Sequence, residues 1–278
     1  MLIVGEGQVA QYPGVQRLTI FAKGNADVRD SLHALIEDGV ARWNGINVAL
    51  ATRQPGWRAR VIHEISARSD VLASADGAVP AGSATFASSL GAFAAERQCS
   101  PRLYAGEADV VVLSIQADVM NRLAVHRGDG RALYPHDLDN WPTEHRARFV
   151  RDYADAPPLD PDAAMQALAR VVARLHEAGD PAILIYNMSP IVPWERIHCY
   201  AGVPETLAIR IRRFNLALVE LSRLTGVSIV DVDAVVARGG ADRLKLDAVS
   251  LTAEGCRLVA EEVVRILVAL GRFPEAAA

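Results

Sequence analysis

Cysteine is scarce: Cys99, Cys199 and Cys256 are three in 278 residues, odd in number and far apart. That excludes a disulfide framework and a clustered zinc knuckle. They read as reduced thiols, which sets the cytoplasm as the expected compartment. No long basic run occurs, and 29 Lys+Arg against 33 Asp+Glu leave a net charge of −4, so nucleic acid is not an expected partner. No uninterrupted apolar stretch reaches membrane-spanning length, and the opening "MLIVGEGQVA" has no basic segment ahead of an apolar one. Neither a signal peptide nor a membrane partner is expected. Internal repeats and low-complexity segments are absent as well.

What is present is apolar surface and alternation. With 51% hydrophobic residues, a chain of this length can bury a sizeable core, and residues 1–278 are read as a single domain. Compact apolar or β-branched runs at 17–23, 58–65, 109–115, 182–187 and 227–232 have the composition of strands buried on both faces of a parallel sheet. Helical patterns lie between them at about 28–42, 84–97, 161–178, 204–225 and 252–270, the last with Thr252 as its N-cap. The expected fold is a three-layer α/β/α domain around a five-stranded parallel sheet, flavodoxin-like in type. Residues 126–160 are too long and polar for a simple connection and read as an insertion over the sheet edge or the pocket.

In such a fold the carboxyl ends of the strands form the working crevice. The first strand-to-helix corner reads Gly24-Asn25-Ala26, and an alanine methyl can neither attack carbon nor carry a proton. Polar groups cluster at the other strand ends: His63, Glu64, Arg68, Gln116, Asp118 and Asn187. The loop "SPIVPWERIHCYAG" adds Trp194, His198 and Cys199, a mixture of aromatic faces and ionisable heads suited to a small ligand. His126, His136 and His145 are irregularly spaced and read as solvated loop residues, so no metal and no cofactor is expected.

The blocks "AILIYNMSPIV", "RFNLALVELSRLTGVSIVDVD" and "LDAVSLTAEGCRLVAEEVVRIL", with "WRARVIHEISARSD" and "ADVVVLSIQADVMN" before them, resemble the SGNH (GDSL-type) hydrolase superfamily. That resemblance implies an acyl-ester hydrolase with a Ser-His-Asp arrangement and an oxyanion hole of Ser, Gly and Asn donors. Residue by residue it fails at the chemistry. Its serine falls on Ala26, its second-block glycine on Ala67, its asparagine within Gln116-Ala117-Asp118, and its histidine on Ser250, with only Asp247 retained. Without nucleophile and base, ordinary serine hydrolysis is not expected.

Two functional classes follow. One is a protein of this fold that binds a small polar, anionic or acyl ligand in the old crevice, or acts on it by non-serine acid–base chemistry. His63, Glu64, Asp118, His198 and Asp247 are its candidate acids and bases, and Gly24, Asn25, Ala26, Arg68, Gln116, Asn187 and Trp194 its candidate ligand contacts. The other is an esterase or acyltransferase with a displaced nucleophile, Ser31 in "RDSL" or Cys199. Ser31 lies a turn into the helix, where a hydroxyl is expected to bond the preceding turn. The free N–H groups of that helix are expected to take an anion at Gly24-Asn25-Ala26, with Arg68 as partner.

Overall fold

The computed structural model describes residues 15–37, 39–193 and 205–274. Its first half contains strand β1 (Gln16–Lys23), helix α1 (Ala26–Leu32), strands β2 (Ala34–Glu37) and β3 (Val40–Asn44), helix α2 (Ile46–Arg53), strand β4 (Trp57–Glu64), helices α3 (Ser69–Ala73), α4 (Ala87–Leu90) and α5 (Ala95–Gln98), strand β5 (Val110–Ser114) and helix α6 (Gln116–Met120). There follow strands β6 (Ala124–His126) and β7 (Ala132–Leu133), helix α7 (Thr143–Asp152), strand β8 (Tyr153–Asp155), helix α8 (Pro161–Ala178), strand β9 (Ala182–Tyr186), helix α9 (Leu207–Thr225), strand β10 (Ser228–Val230) and helices α10 (Val232–Gly239), α11 (Ala241–Leu244) and α12 (Ala253–Ala269).

The main sheet has the order β10-β9-β5-β1-β4, with every pair parallel. Counting only these five strands in chain order gives 2-1-3-4-5, the flavodoxin-like order, so the fold class agrees with the sequence reading. The order reverses between β1 and β5, and ligands of such sheets bind outside the strand ends at that reversal. Alternation along the strands builds two cores. Ile20, Ala22, Val110, Val112, Leu184 and Tyr186 pack against α1, α2, α10 and α12, whereas Phe21, Val111, Leu113, Ile183 and Ile185 pack against α8 and α9. β4 is an edge strand, and its outward Arg58 and Arg60 discourage further strand pairing.

Helix limits follow local chemistry. Asp160 accepts from the Asp162 N–H ahead of Pro161 at the start of α8, and Thr252 accepts from the Gly255 N–H at the start of α12, as its sequence suggests. Two helices expected from the sequence are corrected. Residues 28–42 form the short α1 followed by the β2–β3 hairpin, with Gly39 at φ +76°. Asp38-Gly39 is a hairpin signal, and it outweighs the helical spacing around it. Residues 84–97 break into short turns because Gly91 takes φ +53° and Ala94 is extended, at ψ 140°.

The segment 126–160 is ordered around its own core. β7-β6-β8 form a small antiparallel sheet, and Phe86, Trp141, Phe149 and Tyr153 pack together beneath it. No helix among the described residues is long and apolar enough to cross a membrane.

Candidate functional site

The corner is built by close approach. A Cβ on Gly24 would lie 2.6 Å from Val28 Cγ2, so glycine lets α1 turn directly off β1. Ala26 is the first residue of α1, and the next residue, Asp27, turns its carboxylate inward. Ser114, at the end of β5, donates its hydroxyl hydrogen to Asp27 Oδ2. Asp27 Oδ1 is sealed from solvent and has no partner. Burial pushes this carboxyl above its ordinary range, against the hydrogen bonds from Ser114 and the backbone of the helix start.

Asp27 lines a cavity of about 20 Å³ together with Gln116, Tyr186, Asn187, Ser189 and Lys245. Gln116 Oε1 is likewise buried and unpartnered. Ser31, Tyr186 and Lys245 have committed their hydrogens. Ser31 Oγ lies 2.8 Å from the Asp27 carbonyl and 3.0 Å from the Tyr186 hydroxyl, so its own hydrogen goes to the carbonyl and Tyr186 donates to Ser31. Lys245 Nζ bonds the carbonyls of Ser189, Ile191 and Ala248 at 3.1, 2.5 and 3.1 Å, which consumes its three N–H groups. The corner therefore combines two open acceptors, Asp27 Oδ1 and Gln116 Oε1. Ser114, Tyr186 and Lys245 carry no local sequence signal for a site, whereas Asp27 does: it is an acid in the first turn of the corner helix.

Each residue singled out in the sequence has a definite place. His63 and Glu64 take opposite faces of β4. His63 Nε2 donates to the Gly24 carbonyl at 2.8 Å, and its ring lies edge-on to His33, centroids 6.1 Å apart. Burial lowers the pKa of both imidazoles below the ordinary value. Glu64 is the register partner of Lys23 and accepts from its buried Nζ at 3.0 Å, while the same ammonium donates to the Arg97 carbonyl at 2.7 Å. Burial pulls the Lys23 pKa down and Glu64 opposes the shift.

Asp118 lies in α6, two residues beyond Gln116, and is buried. Its Oδ1 accepts from the Ser69 N–H at 2.6 Å, which caps α3 from outside that helix. Burial pushes its pKa up to about 7, opposed by that N–H. Asn187 lines the cavity, yet its amide is held by Asp231 at 2.8 Å and by the Asp233 N–H at 3.2 Å. Asp247 accepts from the Val249 and Ser250 N–H groups at 2.8 and 2.7 Å and ties the closing loop. Burial raises its pKa, but those N–H groups outweigh it and hold the carboxyl below its ordinary range.

The expectation that all these groups share one crevice is thus corrected: Gln116 and Asn187 join Asp27 in the cavity, and His63, Glu64, Arg68, Asp118 and Asp247 do not line it. The expected anion seat is also corrected. The Asp27 carboxylate lies in the first turn of α1, where it opposes a second negative charge, and Asn25 Oδ1 accepts from the Ser66 N–H at 3.3 Å. Arg68 turns away to Asp70, at 3.0 and 2.5 Å, and to the Pro157 carbonyl at 3.1 Å. Trp194, His198 and Cys199 lie outside the described residues. No group of three or more His, Cys, Asp or Glu among the described residues could hold a metal ion.

No protein-family model matches this chain, and no curated protein sequence matches it. Many of the solved structures it resembles are SGNH or G-D-S-L hydrolases and acetylesterases. One is Axe2, an acetylxylan esterase from Geobacillus stearothermophilus, at 13% identity over 91% of this chain and 94% of that one, TM-score 0.49. Another is a member of the lipolytic G-D-S-L family from Veillonella parvula, at 10% identity over 91% and 98%, TM-score 0.44. A third is the N-terminal part, containing a phosphatase domain, of a Bacteroides fragilis protein, at 9% identity and TM-score 0.46, where 92% of this chain spans 53% of that one.

Proposed function

We propose that this chain is a non-hydrolytic protein of SGNH-like fold that binds the hydroxyl head of a small polar ligand at the β1–α1 corner. The observation that carries the reading is that two residues lining one cavity, Asp27 and Gln116, each carry a buried acceptor without a partner, Oδ1 and Oε1. A buried acceptor left without a donor costs about 1–3 kcal/mol, so a donor entering here gains more than it would at a satisfied surface. The space of about 20 Å³ suits one group the size of a water molecule. A hydroxyl supplies that donor without charge. A carboxylate would face Asp27, and an ammonium would face the neighbouring Lys245.

Catalysis by a corner serine has no support in this geometry. Ala26 stands at the corner and Ser250 at the histidine position, while Ser31 is held by Asp27 and Tyr186. Of the proposed acids and bases within the described residues, His63, Glu64, Asp118 and Asp247 each hold backbone or an ion pair. The proposed setting is the cytoplasm, in keeping with cysteines that are few and far apart in the sequence.

Thermal melting with matched three-carbon probes tests the reading. Propanediol should raise the melting temperature and lose that effect in Asp27→Asn, whose amide supplies its own donor to Gln116. Propionate and propylamine should leave it unmoved. Equal protection by propionate would overturn the hydroxyl assignment. A second reading, a hydrolase with Ser114 as displaced nucleophile, is favoured by the Ser114–Asp27 hydrogen bond alone. Fluorophosphonate labelling of Ser114 with turnover of acetyl esters would establish it in place of the first.

A further inference from the structure

We propose that the cleft between α3, the β6–β7 ribbon and the start of α8 is a second binding site, for an uncharged apolar molecule that ends in a carbonyl-type acceptor. The cleft measures about 800 Å³ and shares no lining residue with the corner cavity. That size falls within the range of small-molecule sites.

Its construction is legible in the small sheet. Ala124 pairs with Leu133, and both face the aromatic core beneath; Val125 pairs with Ala132, and both face the cleft. Strand alternation thus gives the ribbon one face for its own core and one apolar face turned outward to the cavity. Val71 of α3, Ala75 just beyond it and Leu159 ahead of α8 continue the apolar wall. An apolar body that covers this wall removes apolar surface from water.

The polar groups set the head. Arg68 is almost wholly buried, and three of its five N–H donors are taken by Asp70 and Pro157. Arg131 spends three on Asp76 and the Ala78 carbonyl. Each guanidinium keeps hydrogens for an acceptor, so this cleft offers donors where the corner offers acceptors. Its carboxylates Asp70, Asp76 and Asp160 outnumber its two arginines, which disfavours a ligand with a full negative charge. A neutral carbonyl accepts from the free N–H groups without meeting that repulsion.

Titration calorimetry of the full chain with octanamide tests this. One molecule should bind per chain, and octanoate should bind at least severalfold more weakly. Ala163→Trp and Ser74→Trp, both at exposed positions lining the cleft, should each weaken octanamide at least tenfold with an unchanged melting temperature. Saturating propanediol should not compete, which separates failure of this site from failure of the corner reading. Absence of octanamide binding, a preference for octanoate, or undiminished binding in both tryptophan variants would overturn the proposal.

Discussion

The corner and the cleft are opposite solutions on one molecule. The corner cavity is small, two of its lining residues, Asp27 and Gln116, carry unpartnered oxygens, and the hydrogens of Ser114, Tyr186 and Lys245 go to Asp27, Ser31 and main-chain carbonyls. The cleft is some forty times larger in volume, walled by small apolar side chains, and keeps guanidinium hydrogens in reserve. Only the corner lies at the strand-order reversal where this architecture places chemistry. The difference teaches that position in the fold and capacity for a ligand are separate properties. Here the favoured position retains space for one small group, and an added ribbon supplies the larger volume.

Removing the floor beneath the ribbon should break the cleft side of the comparison most severely. Phe86 is fully buried and lies against Trp141, Phe149 and Tyr153. Phe86→Ala should cost about 3–5 kcal/mol in denaturant unfolding and weaken octanamide binding, while the propanediol effect at the corner persists.

Asp118 links elements that line the two regions. It belongs to α6, whose first residue Gln116 lines the corner, and it holds the first N–H of α3, whose Asp70 and Val71 line the cleft. Its folded pKa of about 7 lies above the ordinary 3.8, so the folded state binds the proton more tightly. The stability this confers is complete below the unfolded pKa and is lost as pH rises towards 7. Between pH 4 and pH 8 wild type should lose up to about 4 kcal/mol relative to Asp118→Asn, at 1.36 kcal/mol per pKa unit. Comparing the two proteins cancels the parallel contribution of Asp27 and the opposite one of His33 and His63. A difference that stays flat with pH in paired urea titrations would remove Asp118 as a titrating group.

On the corner side, Lys245→Met strips hydrogen bonds from the carbonyls of Ser189, Ile191 and Ala248. A loss of about 2–3 kcal/mol is expected, because unpaired buried carbonyls are only partly offset by the apolar replacement. The cleft should be untouched, and unchanged octanamide affinity is the check.

How much of this was readable in advance depends on the range of the interaction. Residues 161–178 and 252–270 are marked by their own caps, Asp160-Pro161 and Thr252, and the structure places helices there. The substitution of Ala26 at the corner is equally local. The opposite faces of His63 and Glu64 follow from the two-residue period of a strand. By contrast, Lys23 meets Glu64 only because β1 and β4 pair in parallel register, 41 residues apart. Asp118 reaches Ser69 across 49 residues, and Lys245 reaches Ser189 across 56. Such partners belong to tertiary register, which spacing along one strand or helix does not encode. Arg68 departs from expectation for the same reason: it follows the carboxyl end of β4, which pairs with β1, but its guanidinium is held by Asp70 and Pro157 and lines the cleft.

The smallest change bears most directly on the corner. Ala26→Ser places a hydroxyl at the start of α1, where serine is tolerated, and stability should move by no more than about 0.5 kcal/mol. That hydroxyl would have no imidazole to accept its proton, since the histidine position is Ser250, and the adjacent carboxylate, Asp27, is already hydrogen-bonded to Ser114. A serine without a base has an ordinary alcohol pKa and is a poor nucleophile. The single variant should therefore show no turnover of chromogenic acetyl esters above the wild-type background. Ala26→Ser with Ser250→His restores two parts of the dyad and should give a low but measurable rate, with Asp247 available beside the new imidazole. Robust turnover by Ala26→Ser alone would mean that Asp27 serves as the base, and the corner would then be a hydrolytic site lacking one atom rather than a site rebuilt for binding.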